Sequence, residues 1–197
     1  EDTLGTGSQY TDLGDAATDH ALVNNPGEAP VNFFGNDSSD ELSFSSYYFN
    51  TLNEVGLTDG DFVGVTNYTG TVGSYSDGEN GFQFQDTDGM MQTTFGNVNL
   101  TGYSTVMVYV DLFVQSTGYE SADYIRIYSV TNTGDTLDLI NTIGQDIDDL
   151  AIEDSWLEIS ADLSGYESAN LVAELQSNSS SEAMFLDNIR FEGTNSA

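Results

Sequence analysis

Alternating apolar and polar residues mark a series of short strands along most of the chain. The clearest pattern runs over 104–115, where valine or leucine occupies every even position from 106 to 114. The odd positions carry Met107, Tyr109, Asp111 and Phe113. Because successive side chains of a strand point to opposite faces, this pattern predicts a central strand with one face in the core.

Further strands are indicated by clusters of β-branched and aromatic residues between turn-forming segments. They are predicted at 42–49, 61–69, 82–85, 91–100, 123–131, 136–143, 156–163, 169–176 and 183–192. Loops rich in Gly, Ser and Asp separate them, and helical periodicity is nearly absent. This pattern is typical of an all-β protein, and we predict an antiparallel jelly-roll β-sandwich.

The domain boundaries follow from a change of composition near residue 40. Residues 1–40 are polar and contain both prolines, so we predict an extended acidic N-terminal arm there. The β-sandwich domain is expected over 41–192, followed by a C-terminal tail over 193–197.

The net charge of the chain limits the classes of molecule that it can bind. The chain has 33 acidic residues and only two basic ones, Arg126 and Arg190, for a formal net charge of -31. Phosphate backbones and anionic membrane surfaces need basic side chains, so nucleic acid is excluded as a partner. No stretch approaches the roughly 20 apolar residues of a membrane span, so no membrane insertion is expected. Self-repulsion of this size favours surroundings rich in salt or divalent cations, which indicates an extracellular or cell-surface location.

Carboxylates at strand ends are candidates for a metal site. Asp187 lies within the closing strand beside Phe185 and Ile189, so we expect it to be buried. A buried carboxylate needs a positively charged or hydrogen-bonding partner, and this chain has few basic side chains to provide one. Ca²⁺ binds six to eight oxygen atoms and is therefore the expected cofactor. The other acidic residues at strand ends beside apolar runs are Asp86, Asp88, Glu120 and Asp123. For each of these pairs, a solvated acidic loop is the alternative.

Aromatic side chains with one arginine form the candidate ligand site. Tyr124, Arg126 and Tyr128 share one face of a predicted strand, and Tyr119 and Trp156 offer further rings. An aromatic ring offers apolar area with a polar tip, and a guanidinium is a planar fork of donors, so both suit sugar hydroxyls. The alternatives are core or rim aromatics and a structural ion pair.

Four segments together resemble a known group of domains. They are Gly81–Gly89, Trp156–Ser160, Leu171–Leu175 and the closing Phe185–Phe191 with its Asp-Asn-Ile. In order and spacing they resemble the jelly-roll modules of secreted microbial proteins: carbohydrate-binding modules with galactose-binding-like folds, and related adhesin modules. The resemblance covers roughly residues 40–192. It implies a structural calcium ion near the ends of the domain with Asp187 as a ligand, and sugar contacts through aromatic residues.

The sequence therefore predicts a calcium-stabilised extracellular binding module from a larger secreted or surface protein, with carbohydrate as its ligand. A structural or adhesive module that uses calcium to bridge to extracellular matrix or to itself is the alternative. A polysaccharide lyase or hydrolase is the third possibility, and simple salt adaptation is a fourth explanation of the acidity. No catalytic residue is assigned, because the single histidine, His20, lies in the arm and makes no triad.

Overall fold

Within the described part of the chain, twelve strands build two antiparallel sheets that pack face to face. The computed structural model describes residues 4–14, 18–35, 42–51, 55–58 and 61–196. None of the helical segments in these ranges is long and apolar enough to cross a membrane. The two packed antiparallel sheets confirm the predicted antiparallel jelly-roll β-sandwich.

Each predicted segment contains a strand whose ends differ from the prediction by a few residues. The segment predicted at 91–100 is divided between two strands, Gly89–Phe95 and Val98–Asn99, and the short strand His20–Ala21 was not predicted. In chain order they are β1 (His20–Ala21), β2 (Phe44–Thr51), β3 (Phe62–Thr66), β4 (Gly81–Gln85), β5 (Gly89–Phe95), β6 (Val98–Asn99), β7 (Tyr103–Val114), β8 (Tyr124–Thr131), β9 (Thr136–Asn141), β10 (Leu157–Asp162), β11 (Ser168–Ser177) and β12 (Ala183–Asn195). A single turn of 3₁₀ helix spans Ile147–Asp149.

The pairing of the strands defines two sheets, which are the two layers of the sandwich. One sheet has seven strands in the order β1-β2-β5-β11-β8-β9, with β6 pairing to β11, and the other has five in the order β10-β7-β12-β4-β3. The central position predicted for β7 is confirmed, since it pairs with β10 on one side and β12 on the other. Its even-numbered valines and leucine face inward and join side chains such as Ile125 and Ile127 of β8 in one core.

The described part of the predicted N-terminal arm is built into the sandwich. Tyr10, Leu22 and Val31 are buried in the main core. The side chain of Asn32 accepts a hydrogen bond from the backbone N–H of Ser46 in β2, at 3.0 Å. The predicted boundary at residue 40 lies outside the described residues, as do 1–3 and 15–17 of the arm.

The segment between β3 and β4 covers the outer face of the five-stranded sheet. Val72 and Tyr75 pack there with Phe113 and Phe185 in a second, smaller hydrophobic cluster. The closing strand also runs further than predicted. β12 continues to Asn195 because Gly193–Asn195 pair with the first residues of β7, so most of the predicted tail belongs to the sheet.

Candidate functional site

A row of polar and aromatic side chains crosses the outer face of the seven-stranded sheet. Positions along β8 alternate between half-buried and buried, which turns Tyr124, Arg126 and Tyr128 away from the core. The strand register places Glu174 of β11 beside Arg126, and Gln92 of β5 beside Glu174. These five residues are named the outer-face row here, and the shared face predicted for the three β8 residues is confirmed.

Hydrogen bonds hold the outer-face row in place. The Tyr128 hydroxyl and the Gln92 side-chain amide both donate to Oε1 of Glu174, each at 2.8 Å. Arg126 Nε donates to Asp138 Oδ1 at 2.8 Å, and its guanidinium carbon lies 4.2 Å from the centre of the Tyr128 ring. These contacts fix the side chains of Arg126, Tyr128, Gln92 and Glu174 before a ligand binds, which lowers the entropy lost on binding.

Both tyrosines of the row remain hydroxyl donors at neutral pH. Burial raises the pKa of Tyr124 to about 12, and the charge of Glu174 adds to the effect while Arg126 opposes it. Burial and the hydrogen bond to Glu174 raise the pKa of Tyr128 well above its usual range. The row thus combines phenolic and guanidinium groups with an amide, around a buried carboxylate to which the Tyr128 hydroxyl donates.

An apolar groove of about 490 Å³ borders the row on the side of β2. Its lining includes Tyr47, Phe49, Val23 and Phe34, and Gln92 of the row forms part of it. The Tyr47 and Phe49 ring centroids lie 4.6 Å apart. Aromatic surface and hydrogen-bonding groups are therefore continuous across this side of the molecule.

Tyr119 does not belong to this surface. Its side chain is 7% exposed and packs in the main core. The hydroxyl donates to the backbone oxygen of Gln115 at 3.1 Å and contacts that of Ala183 at 3.4 Å. The prediction that its ring stacks on a ligand is corrected here, because the ring faces protein on all sides.

Trp156 lies on the other sheet, away from the outer-face row. Its ring packs against Tyr75 and Phe113 at centroid distances of 6.0 Å and 5.6 Å. The indole Nε1 donates to the backbone oxygen of Ser74 at 2.9 Å. Trp156 thus closes the smaller hydrophobic cluster, which separates it from the tyrosines with which the sequence analysis grouped it.

The first of two acidic groups joins Glu120, Asp123 and Glu182. One carboxylate oxygen of each lies within 4.8 Å of those of the other two. Asp123 and Glu182 are buried while Glu120 is exposed. Burial raises the pKa of Asp123 to about 6 and that of Glu182 to about 7, and the neighbouring carboxylates add to both shifts. These residues are close enough to hold one metal ion.

The second acidic group joins Asp61, Asp86 and Asp88 at the same end of the sandwich. Asp86 and Asp88 both adopt left-handed backbone angles, with φ of 55° and 45°. The backbone N–H of Asp86 donates to the carbonyl of Glu182 at 3.2 Å, so the two acidic groups are neighbours. The two predicted pairs, Asp86 with Asp88 and Glu120 with Asp123, are each found in a group that could hold a metal ion.

Asp187 lies in neither acidic group. It is fully buried, and its Oδ2 accepts hydrogen bonds from the backbone N–H groups of Ser76 at 2.5 Å and Asp77 at 2.9 Å. The Ser76 hydroxyl donates to the same oxygen, and the Asn188 N–H donates to Oδ1. Backbone donors therefore meet the cost of burying this carboxylate, and its role as a metal ligand stays a prediction.

Three functional side chains were not found from the sequence. Glu174 and Gln92 enter the row only through the pairing of β11 with β8 and β5. Glu182 joins Asp123 because the turn before β12 meets the β7–β8 loop. A local signal existed for two of them: Glu174 interrupts the apolar run Leu171–Leu175, and Glu182 directly precedes a buried strand.

Comparisons with known proteins find a likeness of fold to solved structures. No family model and no curated protein matches it. A family 61 carbohydrate-binding module solved with β-1,4-galactotriose matches 66% of this chain and 81% of its own, with 12% identity and a TM-score of 0.47. The family 11 carbohydrate-binding module of Clostridium thermocellum, solved with a mixed-linked tetrasaccharide, matches 91% and 98%, with 15% identity and a TM-score of 0.39.

A cleaved adhesin domain of Lys-gingipain from Porphyromonas gingivalis also matches, over 70% of this chain and 86% of its own. Its identity is 11% and its TM-score is 0.45. The expected resemblance to such modules is confirmed as a likeness of fold. None of these TM-scores reaches 0.5, so the comparisons assign no function to the chain.

Proposed function

We propose that this chain is a carbohydrate-binding module whose ligand lies across the outer-face row and the adjoining groove. The observation that carries the proposal is the row itself, on the outer face of the seven-stranded sheet. In it Tyr128 and Gln92 both donate to Glu174, and Arg126 lies over the Tyr128 ring with Tyr124 on the same face. Sugars present C–H patches that pack on aromatic rings and hydroxyls that pair with carboxylate, amide and guanidinium groups. Both kinds of contact are available here side by side.

The charge of the protein favours a neutral polysaccharide. Glu174 and Asp138 offset Arg126 on this face, and the whole chain carries a formal net charge of -31. An anionic polysaccharide would be repelled at long range. A neutral glycan does not incur that penalty.

The proposal also covers a stabilising calcium ion and the location of the protein. We infer that calcium stabilises the module, because two groups of three carboxylates lie at one end of the sandwich and could each hold a metal ion. We infer an extracellular or cell-surface setting, as part of a larger protein, from the acidic composition. No residue is assigned a catalytic role.

The test is calorimetric titration of a panel of neutral polysaccharides (a galactan, a mixed-linked glucan and a xylan) in calcium, on wild type and two arginine variants. Arg126→Ala removes a donor fork from the row, and we expect at least about a tenfold loss of affinity. Arg190→Ala is the matched control, since its guanidinium also stacks on a tyrosine, 4.5 Å from the Tyr109 ring centre, but lies on the other sheet. The affinity of Arg190→Ala for the polysaccharide should stay within about twofold of wild type.

Two outcomes would overturn the proposal. Loss of binding in Arg190→Ala with normal binding in Arg126→Ala would move the ligand site to the five-stranded sheet. No binding to any neutral polysaccharide, together with calcium-dependent self-association in light scattering, would favour the structural or adhesive alternative.

A further inference from the structure

We propose that Glu120, Asp123 and Glu182 form a calcium site that ties the β7–β8 loop to the turn before β12. This gives a position to the calcium ion of the proposed function and rests on that part of it, but it does not depend on carbohydrate binding. This group combines close carboxylates with two buried oxygen atoms that have no hydrogen-bond partner among the described residues.

Each buried carboxylate has one oxygen paired with backbone and one without a partner. Asp123 Oδ2 accepts from the N–H of Glu120 at 2.6 Å. Glu182 Oε2 accepts from the N–H groups of Asn178 and Ser179 at 2.8 and 3.0 Å. Asp123 Oδ1 and Glu182 Oε1 are buried without a hydrogen-bond partner in the described structure. Leaving such oxygens unpaired in the interior is costly, and a cation between them removes the cost.

The chain does not supply that cation itself. Its basic residues are two arginines and no lysine. Arg126 pairs with Asp138, and Arg190 pairs with Glu158 and Glu192, each on the outside of a sheet. Three carboxylates confined within 4.8 Å are therefore neutralised either by protons or by a counter-ion from solution.

The donor set selects the kind of ion. Every ligand offered is a carboxylate oxygen, which suits a hard divalent cation and not the nitrogen- and sulfur-seeking transition metals. Calcium accepts six to eight oxygens in flexible geometry, so water can complete the shell on the exposed Glu120 side. Magnesium requires a tighter octahedron, and we expect it to bind more weakly here.

The position of the site connects it to the outer-face row. Asp123 directly precedes Tyr124, the first residue of β8. The loop between Glu120 and Asp123 is also held by Gln176 of β11, whose Nε2 donates to the carbonyl of Ala122 at 2.7 Å. A cation bound here would fix the end of β8 from which the row begins.

The experiment is calcium titration of chelator-stripped protein by calorimetry, with no carbohydrate present, followed by thermal unfolding with chelator and with millimolar calcium. Glu182→Gln and Glu120→Gln remove one ligand charge each, and Glu120 is exposed, so its replacement leaves the core intact. Glu167→Gln, an equally conservative change at an exposed position outside both acidic groups, is the control. We expect Glu167→Gln to match wild type and each ligand variant to lose more than about tenfold in calcium affinity.

Stability separates a metal ligand from a merely structural residue. In chelator, Glu182→Gln should melt at or above the temperature of wild type, because it no longer buries an unpaired charge. In calcium it should melt below wild type. Absence of calcium binding to wild type would overturn the proposal. So would unchanged affinity in both ligand variants with loss in Asp88→Asn, which would place the ion in the other acidic group.

Discussion

At the scale of single residues, Asp187 shows what a sequence reveals about a buried charge and what it leaves open. The apolar neighbours of Asp187 correctly indicated burial, and the expectation that burial must be compensated was sound. The compensating groups are backbone N–H donors of a loop 110 and 111 residues earlier in the chain. Backbone donors carry no side-chain signature, so no local pattern could have identified them as the partner.

Replacing Asp187 tests which partner matters. Asp187→Ala removes the acceptor for the backbone N–H groups of Ser76 and Asp77 and should reduce the free energy of unfolding by about 3 kcal/mol. Asp187→Asn keeps an acceptor oxygen and should cost less. Urea denaturation in calcium and in chelator provides the measurement, and the loss should be the same in both. A loss seen only in calcium would instead make Asp187 a metal ligand.

At the scale of elements, strand periodicity predicted which side chains share a face but not which faces are covered. Tyr124, Arg126 and Tyr128 emerge together from β8, as the pattern indicated. Trp156 was grouped with them because its ring could also stack on a sugar, yet it packs under the β3–β4 loop on the other sheet. Pairing between distant strands decides this, and pairing depends on the register of the whole sheet.

Trp156→Ala should therefore affect stability and not ligand affinity. The ring closes the small cluster formed with Tyr75, Phe113 and Phe185, and its partial exposure reduces the expected cost to about 2 kcal/mol. Trp156→Phe should recover part of that loss while still lacking the indole donor to Ser74. Urea unfolding and polysaccharide titration on the same preparations decide the matter. A variant of normal stability that had lost its affinity would return Trp156 to the ligand site.

At the scale of the whole molecule, composition predicted a need for cations without saying how they act. A formal net charge of -31 repels itself in dilute buffer, and any salt screens that repulsion. The acidic groups at one end of the sandwich add a different demand, since buried carboxylates are poorly screened and require an ion in contact. Residue counts cannot separate these two effects, because each acidic group forms only when segments distant in the sequence meet.

Salt and calcium should therefore stabilise the protein additively. In chelator, sodium chloride should raise the melting temperature gradually until surface repulsion is screened, at about 1 M, where the Debye length is roughly 3 Å. Calcium added at that salt concentration should still give a saturable rise, of about 4 kcal/mol at a thousandfold excess over Kd. Glu120→Gln should keep the salt response, because it removes only one of many surface charges. It should lose most of the calcium response, because it removes one of the three carboxylates that bind the ion. If 1 M salt alone restored full stability and calcium added nothing, the acidity would be explained as salt adaptation. That result would overturn the proposed calcium site but would not bear on the proposed ligand site at the outer-face row.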